Sequence, residues 1–260
     1  MPDRRTPDFV HLSVQTRDDG GRVATVTLDN QAKLNIVNTP ILNELIAALA
    51  PLATDEALRA VVLTGAGQRA FFGGADINEM AALDQDGAER FITLLHTFCQ
   101  ALRDLPVPVI ARIDGYALGA GLEVAASCDL RVATDRASFG MPEVQVGIPS
   151  VIEAALLPSL IGWGKTRELV YTGDRIDAQE ALACGLVDRV VPADDLDAAV
   201  GRWLESICTA GPLAIRAQKR LLREWERLPL DDAIAAGIRA FRETYAGDEP
   251  RDAMRRFLQR

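Results

Sequence analysis

Histidine is scarce in this chain of 260 residues, which contains only His11 and His96. A catalytic triad or a zinc site built on imidazole therefore has few residues to draw on. His96 lies among apolar residues at helical spacing, which favours a histidine packed in the interior. We accordingly predict no metal site.

Cysteine is also sparse, and no two cysteines form a CxxC pair. The four lie far apart in apolar surroundings: Cys99, Cys128, Cys184 and Cys208. Disulfide frameworks and zinc sites need paired or closely spaced cysteines. Buried free thiols are the favoured interpretation, because unpaired cysteine commonly packs as a small apolar residue.

Positive charge is in deficit, with a net charge of -9 at pH 7. This argues against binding to nucleic acid or to an anionic membrane, since both need a cationic surface. No apolar run approaches the roughly 20 residues of a membrane span, and the first ten residues lack the apolar segment of a signal peptide. We expect a cytoplasmic protein with no nucleic-acid and no membrane partner. An anionic small molecule remains compatible with the sequence, because a local cluster of Lys or Arg could bind it.

Nucleotide-binding glycine motifs are missing as well. Residues 164–166 (Gly-Lys-Thr) match the end of a P-loop, but Ser159 stands where that motif needs its first glycine. The glycines of residues 115–121 are not spaced as in the dinucleotide-binding motif. We assign neither an ATP site nor an NAD site.

The first part of the chain contains strand and helix patterns in alternation. Two alternating apolar runs, residues 9–14 and 23–28, flank Asp-Asp-Gly-Gly and predict a hairpin. Asn38 or Thr39 can cap a helix that has Pro40 at its first position. With 48% apolar and 25% charged residues, the chain has the composition of a soluble globular protein that can bury a sizeable core.

From residue 164 onward the pattern is mainly helical. Helices are predicted near residues 195–209, 212–228, 231–245 and 250–258. Strands that alternate with helices, followed by such a tail, predict an α/β core with a helical appendage. Tails of this kind often serve oligomerisation.

Residues 114–123 (Asp-Gly-Tyr-Ala-Leu-Gly-Ala-Gly-Leu-Glu) follow an apolar run, residues 108–113, that predicts a buried strand. Glycines at a turn from strand to helix let the backbone approach a ligand closely. The N–H groups of the first helical turn then point outward as donors, with the positive end of the helix dipole behind them. Glu123 lies about one turn further on, either as an acid/base group or as a carboxylate on a solvated face.

Two further segments are candidates for site loops. Residues 70–77 form a second loop of small residues that leads into a predicted helix, with Asp76 as its cap or as part of a plain loop. Residues 138–143 form a loop that carries a second carboxylate, Glu143. Residues 147–150 are predicted to open the next helix, again with proline at an early position.

Four segments resemble, in order and spacing, motifs of the enoyl-CoA hydratase/isomerase (crotonase) superfamily: residues 70–77, 114–123, 138–148 and 171–181. The resemblance extends over nearly the whole chain. It implies an α/β fold with a crotonase-like spiral of repeated ββα units, over residues 1–195, that carries the site for the CoA thioester. It also implies a C-terminal helical region, residues 196–260, that assembles a homo-trimer or a hexamer.

The resemblance implies an enoyl-CoA hydratase of fatty acid metabolism, which adds water to a 2-enoyl-CoA. The backbone N–H groups of Gly73 and Ala120 match the family's oxyanion hole, provided that the Ala120 methyl group finds space. Glu123 matches the general base, and Glu143 matches the group that exchanges a proton with C2. The substrate is an acyl-CoA thioester, and no cofactor is implied, because coenzyme A enters as part of the substrate.

Further binding residues follow from the same resemblance. Those expected to line the acyl site are Phe72, Gly74, Ala75, Asp76, Ile77 and Gly121. Ala32, Lys33 and Leu34 resemble the family's segment that binds the nucleotide of CoA, although the order of Lys and Ala is inverted. Lys33 is therefore either a CoA contact or a solvated surface residue.

The sequence departs from the family pattern at residues 149–154, which read Pro-Ser-Val-Ile-Glu-Ala where many relatives have Pro-Gly-x-Gly-Gly. Phe72 also replaces a small residue. Because of these changes, the resemblance does not identify the acyl group of the substrate. Glu153 adds a third acid, as a solvated helix residue or as a participant in catalysis. The alternatives are another crotonase reaction, such as double-bond isomerisation or a hydratase or lyase reaction on an unusual acyl group, and a non-catalytic or RNA-binding member.

Overall fold

The computed structural model describes residues 9–259, which form ten strands and ten α-helices. The strands are β1 (Val10–Thr16), β2 (Arg22–Leu28), β3 (Leu58–Gly65), β4 (Ala70–Phe72), β5 (Val109–Ile113), β6 (Tyr116–Leu118), β7 (Leu130–Thr134), β8 (Ser138–Gly140), β9 (Arg175–Asp177) and β10 (Arg189–Val191). The helices are α1 (Thr39–Leu49), α2 (Ile77–Met80), α3 (Gln85–Asp104), α4 (Ala120–Ala126), α5 (Leu157–Thr172), α6 (Ala178–Ala183), α7 (Leu196–Thr209), α8 (Pro212–Trp225), α9 (Leu230–Thr244) and α10 (Glu249–Leu258).

The strands form two sheets. The larger has the order β1-β2-β3-β5-β7-β10, and the smaller has the order β4-β6-β8-β9. Neighbouring strands are parallel except in the hairpin of β1 with β2 and in the pairing of β8 with β9. The predicted hairpin is therefore confirmed.

A repeated ββα unit generates this arrangement. In the pairs β3/β4, β5/β6 and β7/β8, the first strand joins the larger sheet and the second joins the smaller one. Helices follow each pair: α2 and α3 after the first, α4 after the second and α5 after the third. The chain thus winds from one sheet to the other, which confirms the predicted α/β spiral.

Both faces of the larger sheet are covered. One face packs in the main core with apolar side chains of α1, α3 and α4. Leu196, Ala199 and Val200 of α7 pack on the other face. Burial on both faces explains why β3 and β5 read as almost continuous apolar runs.

Local signals at the helix starts agree with the sequence. The Asn38 side chain accepts a hydrogen bond of 3.1 Å from Ile41 N–H, and Pro40 lies in the first turn of α1. Asp76 caps α2 by accepting from Asn78 N–H at 2.9 Å. These caps satisfy N–H groups that have no partner inside the helix.

Two of the predictions from the sequence were wrong. Residues 70–72, 116–118 and 138–140 are short strands of the smaller sheet, although they were predicted as parts of loops or turns. Residues 147–150 do not open a helix, because a 3-10 helix begins only at Ile152 and α5 begins at Leu157, with proline in its first turn. The glycine and proline signals at residues 147–149 belong to a turn, in which Gly147 has φ 84° and ends a preceding 3-10 helix.

The predicted C-terminal helices are present as α7 to α10. Helix α8 packs against α9, and these two helices with α10 expose many large apolar side chains: Leu213, Leu222, Trp225, Leu230, Ile234, Ile238, Phe241, Met254 and Phe257. Among the helices of residues 9–259, none has the length and apolar character needed to cross a bilayer.

Candidate active site

A pocket of about 330 Å³ opens between the first and second ββα units. Its wall contains Gly73, Gly74, Ala75 and Ile77 after β4, and Gly119, Ala120 and Glu123 at the start of α4. Helix α3 contributes Phe91, Ile92 and Leu95, and the segment after β8 contributes Glu143, Val146, Ile148, Pro149 and Val151. The pocket is largely apolar, and two carboxylates and backbone groups provide its polar edge.

Two backbone N–H groups on this wall are available to a ligand. Gly73 follows the last residue of β4, and Ala120 is the first residue of α4. Within the described part of the chain, neither N–H donates a hydrogen bond. The Ala120 methyl group is buried within the main core, so it finds the space that a side chain at this position requires.

Close packing of α4 on β4 brings these two groups to one wall. A side chain at Gly121 would collide with the carbonyl oxygen of Phe72, so only glycine permits this approach. Phe72 and Gly121 were expected to line the acyl site, but both are buried and neither lines the pocket. Asp76 was expected there too, and instead its carboxylate caps α2.

Glu123 presents a buried carboxylate to the pocket, with the residue 4% exposed. Its Oε1 accepts a hydrogen bond of 3.2 Å from Ala154 N–H. Burial and the neighbouring Glu143 carboxylate raise the pKa of Glu123 to about 8, whereas the Ala154 hydrogen bond opposes that rise. The reading of Glu123 as a solvated helix residue is therefore wrong.

Glu143 faces the same pocket from the 3-10 helix Pro142–Val146. The Ser150 hydroxyl donates a hydrogen bond of 2.8 Å to its Oε2. Burial raises the pKa of Glu143, while hydrogen bonds from its own backbone and from Ser150 lower it. A Cβ atom at Gly119 would lie 2.5 Å from Glu143 Oε1, so the absence of a side chain there makes room for this carboxylate.

The two carboxylates differ in environment. Glu123 is the more deeply buried, and Glu143 has a hydroxyl donor that favours its charged form. Burial thus raises the pKa of both carboxylates, and the Ser150 hydroxyl opposes that rise at Glu143.

Glu153 precedes Ala154 in the chain and is only 6% exposed, so the interpretation as a solvated helix residue is wrong here also. His96 Nδ1 lies 2.7 Å from Glu153 Oε1. The His96 side chain is 48% exposed, so this histidine is not packed in the interior as predicted. Of the four cysteines, all are free thiols and only Cys184 is not buried.

The segment expected to bind CoA lies against the rim of the pocket. The carbonyl oxygen of Leu34 lies so close to Gly73 that a side chain on Gly73 would collide with it. Ala32 and Lys33 are exposed. Lys33 Nζ lies 4.0 Å from Oδ2 of Asp76, the residue that caps α2.

Several residues of the site had no usable signal in the sequence. Phe91 and Leu95 read as core positions of an amphipathic helix, and they are also the apolar wall of the pocket. The contacts of Ser150 with Glu143 and of His96 with Glu153 form only in the folded chain, and no sequence motif indicates them. No group of three or more His, Cys, Asp or Glu side chains within residues 9–259 is arranged to bind a metal ion.

Comparisons with known proteins agree with this geometry. The family model for enoyl-CoA hydratase/isomerase matches residues 18–260. The chain is 35% identical to the short-chain-enoyl-CoA hydratase of Clostridium acetobutylicum over 241 residues, covering 92% of each chain. It is 33% identical to the crotonyl-CoA hydratase of Syntrophomonas wolfei, again over 92% of each chain.

Solved structures give the same result. The crystal structure of an enoyl-CoA hydratase from Bacillus anthracis superposes with a TM-score of 0.90 at 32% identity, covering 95% of this chain and 96% of that one. An enoyl-CoA hydratase from Mycobacterium smegmatis also has a TM-score of 0.90, at 30% identity, with the same coverage of 95% and 96%. The chain therefore belongs to the enoyl-CoA hydratase/isomerase family.

Proposed function

We propose that this protein is an enoyl-CoA hydratase, which adds water across the C2–C3 double bond of a 2-enoyl-CoA to give a 3-hydroxyacyl-CoA. The observation that carries the proposal is the convergence of Glu123 and Glu143 on one apolar pocket beside two unused backbone donors. The relatives named as hydratases, at 33% and 35% identity, support it.

Gly73 and Ala120 act as the oxyanion hole. Attack of water at C3 moves negative charge onto the thioester oxygen, and two N–H donors aimed at that oxygen stabilise the resulting enolate. One such donor typically contributes about 3–4 kcal/mol to lowering the barrier. The positive end of α4 adds to this effect at Ala120.

Glu123 and Glu143 hold one water and share one proton. One carboxylate accepts a proton from the water as its oxygen bonds to C3, and the other donates a proton to C2. The pair carries one proton before and after addition, so the reaction is balanced without a redox cofactor. As the family resemblance implies, Glu123 accepts the proton of the water as general base, and Glu143 exchanges a proton with C2.

Activity then requires a singly protonated pair. It falls at low pH, where both carboxylates are protonated, and at high pH, where both are ionised. The pH profile is therefore bell-shaped, and its two limbs report the coupled pair.

The acyl group is proposed to be short. Phe91, Leu95 and Val151 are among the apolar residues that line this pocket, whose volume is about 330 Å³. Val151 belongs to the segment in which bulky residues replace the expected glycines. The names of two relatives, a short-chain and a crotonyl-CoA hydratase, agree with a short chain.

The CoA nucleotide is proposed to lie along Ala32, Lys33 and Leu34, beside the loop that carries Gly73, Gly74, Ala75 and Ile77. Lys33 is 63% exposed and only loosely paired with Asp76, so its ammonium group can turn towards a phosphate. Coenzyme A enters as part of the substrate, and the proposed chemistry needs no other cofactor.

The apolar side chains on α8 to α10 are proposed to be covered by further copies of this chain, in a homo-trimer or a hexamer. Exposed apolar surface of this extent on helices is typical of an interface. Residues 1–195 then form the catalytic spiral and residues 196–260 the assembling region. A cytoplasmic location and a role in fatty acid metabolism belong to the same proposal, and light scattering of the full chain tests the assembly.

A substrate comparison tests the proposed reaction. Purified protein is supplied with 2-enoyl and 3-enoyl thioesters of the same length, and the products are separated and identified. Formation of a 3-hydroxyacyl-CoA from the 2-enoyl thioester supports a hydratase. Conversion of the 3-enoyl thioester alone, without addition of water, would contradict it and assign an isomerase.

A further inference from the structure

The loop that carries the Gly73 donor is held in place by a segment that precedes α1, residues 34–37. A side chain on Gly73 would meet the carbonyl oxygen of Leu34 at 2.4 Å, so this glycine packs directly on that carbonyl. Further along the loop, Val37 pairs with Ala75 in a parallel bridge with hydrogen bonds of 2.9 and 2.8 Å. The position of the Gly73 N–H group therefore depends on where this segment lies.

The same segment has a strained backbone. Leu34 and Asn35 have φ 57° and 53°, both in the left-handed region. Asparagine adopts this conformation more readily than most residues, whereas leucine does so rarely. Strain of this kind persists only where the surrounding structure holds it in place. The segment therefore needs strong interactions that fix it.

The side-chain amide of Asn35 supplies those interactions. It is fully buried, and its Nδ2 donates to the carbonyl oxygens of Ala66 at 3.0 Å and of Ala70 at 2.7 Å. Its Oδ1 accepts a hydrogen bond of 2.9 Å from Asn30 N–H. A Cβ atom at Gly65 would lie 2.5 Å from Nδ2, so the absence of a side chain there makes room for the amide. Buried polar groups whose hydrogen bonds are all made hold one arrangement rigidly.

These hydrogen bonds connect two parts of the chain that meet at Gly73. Ala66 and Ala70 lie at the two ends of the connection between β3 and β4, and β4 leads directly into Gly73. Asn35 joins this connection to the segment that packs against Gly73 from the other side. Because an oxyanion donor must point at the atom on which charge develops, a displacement of about 1 Å can cost about 100-fold in rate.

We propose that Asn35 is a positioning residue for the oxyanion hole: its amide holds Leu34 against Gly73 and so directs the Gly73 N–H at the thioester oxygen. Asn35 does not line the pocket, and it acts through the backbone that it fixes. The inference rests on the proposed function for the role of the Gly73 donor, but the polarisation of a bound thioester can be measured without hydration.

The test measures the carbonyl band of acetyl-CoA, isotopically labelled at the thioester carbonyl, by infrared difference spectroscopy at saturating ligand. Acetyl-CoA has no double bond to hydrate, and two donors on its oxygen should move the band to lower wavenumber. Asn35→Gly tolerates the left-handed backbone and removes the amide. It should abolish about half of the band shift, as removal of the other donor in Ala120→Pro should. It should also lower kcat with crotonyl-CoA about 100-fold.

Asn35→Asp is a second variant in case the glycine variant does not fold. Aspartate also tolerates positive φ and keeps the acceptor for Asn30 N–H, but it lacks the donors to Ala66 and Ala70 when ionised. It should give the same loss of band shift. Asn38→Gly is the matched control, because it makes the same change at the N-cap of α1, where glycine costs little, and should leave both readouts unchanged.

Folded Asn35 variants that bind acetyl-CoA with the full wild-type band shift overturn the inference, even if the enzyme proves to be a hydratase. An equal loss of the shift in Asn38→Gly also overturns it, since the effect would then belong to any weakening of this region. A shift that falls only in the Asn35 variants, in a protein that does not hydrate enoyl-CoA, supports the inference and rejects the proposed function.

Discussion

The Ser150 hydroxyl donates a hydrogen bond of 2.8 Å to Glu143 Oε2. This bond connects the segment that departs most from the family pattern to a carboxylate of the pocket. A hydroxyl donor stabilises the charged carboxylate and not its protonated form. The Ser150 hydroxyl therefore opposes the rise in the pKa of Glu143 that burial causes.

Ser150→Ala is expected to raise the pKa of Glu143. Because the charged form loses a donor, Glu143 takes up a proton at a higher pH, and the low-pH limb of the kcat/KM profile moves to higher pH by about one unit. Ser150→Thr keeps the hydroxyl and should retain the wild-type limb. An alanine variant with an unchanged limb would show that this hydrogen bond does not control Glu143.

Gly119→Ala is expected to lower kcat strongly. Gly119 has φ 52°, and its added Cβ would lie 2.5 Å from Glu143 Oε1, so both the backbone and the carboxylate must shift. Displacement of about 1 Å can cost about 100-fold in rate. Gly20→Ala is the control for backbone strain, since Gly20 has φ 81° in the β1–β2 turn with nothing within 4 Å. Steady-state kinetics showing equal losses in both variants would contradict the account.

Ala120→Pro tests the backbone donor directly. Proline lacks an N–H but is favoured at the first position of a helix, which Ala120 occupies in α4. The expected loss in kcat is about 100- to 1,000-fold, with the helix retained by circular dichroism. A folded proline variant with normal kcat would show that the Ala120 N–H is not a donor of the oxyanion hole.

Glu123→Gln is expected to stabilise the fold while it abolishes hydration. Burial raises the folded-state pKa of Glu123 to about 8, so the folded state binds more protons than the unfolded state between its ordinary pKa and that value. The contribution of Glu123 to the free energy of unfolding of the wild-type protein is therefore present at low pH and is lost as the pH rises towards 8. Urea unfolding at pH 5 and pH 8 should show that Glu123→Gln increases the free energy of unfolding, and that the increase is larger at pH 8. The control variant Glu89→Gln, at an exposed position, should give no increase.

Much of the fold could be predicted because its signals are local. The hairpin follows from two alternating runs around Asp-Asp-Gly-Gly, and α1 begins where Asn38 and Pro40 predict it. The four C-terminal helices have long periodic patterns, and their bounds lie within a few residues of those predicted. Long periodic segments carry the most information in a single sequence.

The smaller sheet was missed for a physical reason. Strands β4, β6, β8 and β9 have three residues each, too few to show alternation, and their pairing partners are distant in sequence. Glu143 and Glu123 could be selected from the resemblance, but the contacts of Ser150 and His96 with acids could not. Those contacts depend on turns at Gly147 and Ile152, whose unusual backbone angles the residue types alone do not specify.

The most direct measurement follows the enoyl absorbance of crotonyl-CoA with the purified protein and with Glu143→Gln. The account predicts turnover by the wild-type protein and a loss of about 100-fold to 10,000-fold or more in the variant, with its fold intact, because a proton-transfer group has been removed. A folded wild-type protein that leaves crotonyl-CoA unchanged, or a glutamine variant with the wild-type rate, would contradict it.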